Sequence, residues 1–138
     1  VGGNGSAAPI IGVLNGIFYN DASTLKPTFA NFYKATITPA NSEDTTAFVI
    51  DDPFQQYVVA ADTATGVTTF LETYDMNSSA GSDTTGKSSS TLAIGTTSEN
   101  DKQFRMLRSA EDPENEDATA VRHSVVVVSN LNSFNGHN

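Results

Sequence analysis

The chain has 138 residues, a formal net charge of −9 and no cysteine. A chain of this length buries roughly two-thirds of its unfolded surface, so it can hold a core without disulfide or thiolate-metal staples, both of which the absent cysteines exclude. Seven Lys and Arg against sixteen Asp and Glu argue against binding nucleic acid or anionic lipid, and no apolar run approaches the roughly 20 residues of a membrane-spanning helix.

The first residues, Val1, Gly2, Gly3, Asn4, Gly5, Ser6, Ala7, Ala8 and Pro9, are small and without period. They read as a flexible N-terminal arm, residues 1–9, that orders on a neighbouring chain; a single β-rich domain is expected over 10–138. "IIGVLNGIFYND" is β-branched and aromatic and closes on a turn signal. Its Gly12 and Gly16 predict a bulge or a close backbone approach. "TFANFYKATITPA", between Pro27 and Pro39, predicts a second strand with alternation across Thr36, Ile37 and Thr38.

"TTAFVIDDP" predicts a strand stopped at Asp51-Asp52-Pro53. In "FQQYVVAADTATG", Phe54, Gln56 and Val58 alternate with Gln55, Tyr57 and Val59, as in a half-buried strand. "VTTFLETYDM" predicts another strand, "NSSAGSDTTGKSSS" a loop and "TLAIGTT" a short strand. "SENDKQFRMLRSAEDPENEDATA" is ambiguous. Ser98 with Asp101 resembles a capping box and Phe104 with Leu107 has helical spacing, whereas Phe104 and Met106 alternate with Arg105 as in a strand. Four consecutive valines in "AVRHSVVVVSNLNSF" predict a central strand buried on both faces. Seven or eight short strands at regular turn spacing, with at most one helix, define an all-β fold: a compact antiparallel β-barrel or β-sandwich.

Several stretches have the residue types for chemistry. "GSDTTGKS", Gly81 to Ser88, fits the phosphate-loop pattern. That chemistry needs a succeeding helix whose amides face the phosphates, and "SSSTLAIGTTSEN" is rich in poor helix formers. The magnesium-binding acid would have to come from "AFVID", through Asp51, which precedes the loop. Asp51, Asp52 and Asp62, or Asp112, Glu114, Glu116 and Asp117, carry oxygens suited to a hard cation, but without EF-hand spacing they read as solvated turn acids. His123 is expected on the face of Val121, Val125 and Val127, as a packed histidine. No G-x-S-x-G elbow is present. Tyr19, Tyr33, Tyr57 and Tyr74 could stack a sugar in place of tryptophan, which the chain lacks. No catalytic, cofactor or metal site emerges from these residues. Phe29, Phe32, Tyr33, Phe54 and Tyr57 are expected mostly in the core, with a few at a subunit interface.

Taken in order, "PIIGVLNGIFYND", "FANFYKAT", "FVIDDPFQQYVVAAD", "TTGKSS", "FRMLRSAEDPENED" and the Val-rich close resemble the capsid decoration, or cement, proteins of tailed bacteriophages. The resembling features are Tyr19 with Asn20-Asp21, Phe32-Tyr33, Val49 to Pro53, Thr85 to Ser88 and Leu107 to Asn115. The family pattern has a tryptophan and a proline after the aromatic pair, where this chain has "NFYKAT". The resemblance covers nearly the whole chain and implies a β-rich domain that binds major capsid protein on the outer surface of the virion. It further implies a homotrimer, reinforcement of the shell against internal DNA pressure, and neither enzyme activity nor cofactor. A module of another class, binding carbohydrate or a receptor on a fibre or cell surface, remains the alternative. It would require tyrosines gathered in an exposed groove.

Overall fold

A computed structural model describes residues 9–95, 102–114 and 117–131 of the chain. The expected fold class holds: the described residues form antiparallel sheets joined by turns, with two short helical turns at Ala40–Ser42 and Val67–Thr69. The strands are β1 Val13–Asn20, β2 Pro27–Ala30, β3 Thr46–Ile50, β4 Gln56–Ala60, β5 Thr73–Tyr74, β6 Met76–Asn77, β7 Thr91–Leu92, β8 Phe104–Ser109 and β9 Ser124–Ser129. They make a three-stranded sheet in the order β2-β1-β3, a four-stranded sheet in the order β4-β9-β8-β5, and a β6-β7 ribbon. Among the described residues none of the sheets closes on itself, and the arrangement is sandwich-like.

The valine run forms β9, at an interior position of the four-stranded sheet. Val125, Val126 and Val127 are buried because β9 is paired on both sides and Val126 is flanked across the sheet by Val58 and Arg108. On the inner face, Val125 and Val127 join Met106, Phe104, Tyr74, Ala61, Leu92, Ile94 and Ile10 in one apolar cluster. Tyr57 and Val59 of β4 pack against it, with Tyr57 edge-on to Phe104 at 6.4 Å. Fully burying a side chain of this size contributes about 1.5–3 kcal/mol, so this cluster supplies most of the apolar stabilisation.

The ambiguous segment resolves as strand β8. Phe104 and Met106 are buried and Arg105 is exposed, which is the period of a strand. A register irregularity between Met106 and Arg108 then shifts the alternation. The Ser98 and Asp101 capping pair lies outside the described residues. A partly buried ion pair pins the start of β8: Lys102 Nζ lies 3.2 Å from Asp75 Oδ2, and the Gln103 amide donates to Asp75 Oδ1.

The three-stranded sheet stands apart. Extensive strand-to-strand contacts stay within each sheet, apart from those linking β4 to β7. Its pairing with β3 shifts register between Leu14 and Gly16, the bulge that Gly16 predicted. Gly12 fits the other half of that expectation, because a Cβ there would run into the carbonyl of Ile50. Only Ile17 of this sheet is a fully buried side chain with more than a methyl group.

Three expectations are corrected. The second strand ends at Ala30, and residues 31–38 form bends and turns, because Pro27–Ala30 pairs with β1 only as far as Ile17. The stretch after Val67 yields two two-residue strands instead of one longer strand, because at Asp75 the chain switches partner, β5 pairing with β8 and β6 with β7. Val121 does not share the face of His123. It is exposed, because Arg122 adopts a left-handed φ of 67° and interrupts the alternation before β9 begins.

Candidate functional site

The predicted phosphate loop is a self-satisfied turn. The Ser82 amide donates to the Lys87 carbonyl at 2.9 Å and the Gly86 amide to the Ser82 carbonyl at 2.8 Å. The Thr85 amide donates to Ser82 Oγ and the Lys87 amide to Thr85 Oγ1. Four of the amides that a phosphate could use are therefore already bonded within the loop itself. The next regular element along the chain is the two-residue strand β7, not a helix. The glycines serve packing: Gly86 has φ +69°, and a Cβ on it would enter the ring of Phe32. That ring is capped by Lys34 Nζ, 5.2 Å from the centroid.

His123 is wholly buried and both ring nitrogens are engaged. Nδ1 lies 3.1 Å from the Ala120 carbonyl and Nε2 lies 2.8 Å from Thr65 Oγ1. It organises the turn into β9 and has no exposed surface. The acids likewise build turns. Asp52 accepts from the Phe54 amide, Asp112 from the Glu114 amide, and Asp117 from the amide and hydroxyl of Thr119. Asp62 accepts from the Ile94 amide and from Asn77 Nδ2. The Ser23 hydroxyl, the Thr24 amide and hydroxyl and the Ser23 amide all donate to Asp21, and together they lower its carboxyl to about 2. The Thr119 bonds lower Asp117 in the same way. Among the described residues, no three His, Cys, Asp or Glu side chains gather as metal ligands. No helix among them is long and apolar enough to cross a membrane.

The tyrosines do not gather in a groove. Tyr74 is buried, Tyr57 is half-buried on the core cluster, and burial pushes both phenols up. Tyr19 lines a depression with Asp21, Lys34 and Ile37, while Tyr33 lies elsewhere, beside Gly81 to Ser88.

The aromatic side chains behave differently from the expectation that most would be core. Phe29 is 73% exposed, Phe54 80% and Tyr33 56%; Phe32 is half-buried against Gly86, and only Tyr57 reaches the core cluster. Tyr33 and Phe54 fall outside the strands, and Phe29 lies on the three-stranded sheet, whose strands lack extensive contact with the four-stranded sheet. On its open face Phe29 sits opposite Phe18, with ring centres 4.8 Å apart. It also stacks at 6.3 Å and 19° on Phe48, whose partner on β1 is Gly16. Because Gly16 has no side chain, the aromatics of β2 and β3 meet across β1. They border a shallow depression of about 370 Å³ lined by Gly16, Phe29, Asn31 and Phe48. Val13, Phe48 and Val49 are exposed along the neighbouring strands.

Phe18 and Phe48 were not singled out from the sequence. The available signal was "TAFVI", a strand without polar alternation in a chain otherwise rich in acids. The candidate contact residues Val1 to Ala8 lie outside the described residues. Pro9 is exposed, and Ile10 is in the core cluster with its amide bonded to the Leu131 carbonyl.

No family model, no curated protein and no solved structure matches this chain.

Proposed function

We propose that this chain is a structural virion protein that decorates the outside of a tailed-phage capsid, binding major capsid protein as a homotrimer and adding cohesion to the shell. The observation that carries the reading is the aromatic row of half-buried Phe18 with exposed Phe29 and Phe48, on a sheet with little core of its own. Contiguous exposed aromatic surface is a mark of a face that another protein covers. Many copies on one shell make weak individual contacts sufficient, through effective concentration. Acids that shape turns and a histidine held in the interior suit a scaffold, and no cofactor enters this role. The scattered tyrosines weigh against the carbohydrate-binding alternative, which needs them in one groove.

The test is rebinding. Purified chain is added to capsids of the encoding phage from which surface proteins have been stripped, and bound copies are counted by sedimentation and cryo-electron microscopy. Sedimentation equilibrium of the free chain gives its oligomer number. Saturable binding at symmetry-related surface positions supports the reading. A monomer with no affinity for capsids overturns it.

A further inference from the structure

The two edges of the three-stranded sheet are treated differently. The β2 edge is four residues long, begins with Pro27 and comes directly after Lys26. Proline and lysine are the usual means of blunting an edge. The β3 edge has no such guard. Its five residues, Thr46–Ile50, contain no charge and no proline, and Thr46, Ala47, Phe48 and Val49 are exposed although their side chains alternate between the two faces. The bulge in this sheet lies on β1, between Leu14 and Gly16, and so does not distort the outer side of β3. Among the described residues β3 pairs with β1 alone.

The ends of β3 carry a second pattern. Glu43 and Asp44 precede it, Asp51 and Asp52 succeed it, and all four are exposed. Among the described residues none of the four is ion-paired. A second copy of the chain is therefore a poor occupant. Antiparallel pairing centred on Phe48 sets Asp44 opposite Asp52 at both ends, and parallel pairing sets each acid opposite itself. Like charges directly opposite each other in a ladder repel.

We propose that the outer edge of β3 accepts an extended segment of a different protein as a fourth strand, and that this segment is uncharged over the length of β3 with Lys or Arg at each end. Main-chain hydrogen bonds supply the affinity, and the acidic ends supply the register and exclude self-pairing. The added strand would extend the face bearing Phe48. Identifying the segment as part of the shell protein rests on the function proposed above; the strand addition itself does not.

The test uses three synthetic peptides labelled for fluorescence anisotropy. Each alternates valine and threonine over five positions; one is flanked on each side by a pair of lysines, one by pairs of glutamates, and the third is the lysine peptide methylated at every backbone nitrogen. The lysine peptide is expected to bind saturably and about tenfold or more tightly than the glutamate peptide at low salt. The methylated peptide, which keeps the charge but cannot donate ladder bonds, is expected not to bind. Reversing the four exposed acids together (Glu43→Lys, Asp44→Lys, Asp51→Lys, Asp52→Lys) is expected to invert the order of the first two peptides. Equal binding of the lysine and glutamate peptides, retained binding of the methylated peptide, or an order unchanged by the reversal overturns the proposal. Peptide binding with no binding to stripped capsids overturns the shell as partner while leaving the edge intact. Capsid binding with no peptide binding does the reverse.

Discussion

Thr65 and His123 lie 2.8 Å apart, Oγ1 to Nε2, inside the protein. The Ala120 carbonyl beside Nδ1 can only accept, so Nδ1 carries the ring hydrogen and Nε2 accepts from the threonine hydroxyl. Thr65→Val keeps the shape and removes the donor, leaving a buried acceptor unpaired. A destabilisation of about 1–3 kcal/mol is expected in urea unfolding. Nitrogen-15 spectra should show the hydrogen on Nδ1 in the wild type. A neutral ring protonated at Nε2 would contradict the assignment.

Gly86 is needed for two reasons, its φ of +69° and the Phe32 ring packed against it. Gly86→Ala is expected to cost about 1–3 kcal/mol. Part of that cost is the clash with the ring, so it should shrink in a Phe32→Ala background, where only the backbone strain remains. Additive effects in the double-mutant cycle would show that the ring and the glycine are not coupled.

Acid stability should carry the signature of Asp21. Its carboxyl is lowered from 3.8 to about 2, first by the Ser23 hydroxyl and then by the Thr24 amide. A carboxylate that prefers the fold in its charged form stabilises it fully above the unfolded value of 3.8, and that contribution fades as pH falls through about 2. Asp21→Asn should therefore lose less stability than the wild type between pH 5 and pH 2. Carbon-13 titration of the Asp21 carboxyl should give a midpoint near 2; a midpoint at 3.8 or above contradicts the turn geometry.

The exposed and buried apolar residues should separate cleanly. Met106 is wholly buried, and Met106→Ala should cost about 2–5 kcal/mol. Phe29 is mostly exposed, and Phe29→Ser should change stability by no more than about 0.5 kcal/mol. The same Phe29→Ser change should weaken capsid binding by tenfold or more if the aromatic row is the contact face. Unchanged capsid binding would move the contact elsewhere.

Self-association offers a further check. Asp51→Lys with Asp52→Lys reverses one end of β3 only. In an antiparallel pair centred on Phe48 the lysine introduced at position 52 then faces Asp44 of the second copy, with the lysine at 51 beside it, so repulsion becomes attraction. The double variant is expected to gain a concentration-dependent dimer of its protomers, beyond any wild-type assembly, in sedimentation velocity. No change would mean that the acids are not what keeps the edge from pairing with itself.

The strands were legible wherever one residue type dominated. The valine run announced β9 as interior, and Phe104 and Met106 flanking Arg105 carried the period of β8. Gly16 marked its bulge because a bulge tolerates no crowding. The reach of β2 was not legible, because "NFYKAT" has strand composition but no partner strand to pair with. The destination of the aromatics was hidden for a related reason. Composition says that Phe29 and Phe48 are apolar, but whether a second layer covers them depends on which sheets stack, and that is a tertiary property. The apparent phosphate loop was rejected on the lack of a succeeding helix, and the structure adds that its own carbonyls and hydroxyls occupy its amides. Of the candidate surface, the residues of β3 were readable as a strand but not as an unguarded edge.

The meagre interior of the β2-β1-β3 sheet has a consequence for cooperativity. With Ile17 as its chief buried side chain and no extensive strand contact with the four-stranded sheet, this sheet has little to lose when it opens by itself. Amide hydrogens of β1 to β3 should exchange through local opening, while those of β8 and β9 wait for global unfolding. A partner that covers the aromatic row would stabilise the sheet by its binding free energy and bring the two exchange classes together. In the free chain this sheet is expected to open first, and a partner on its aromatic face would hold it closed.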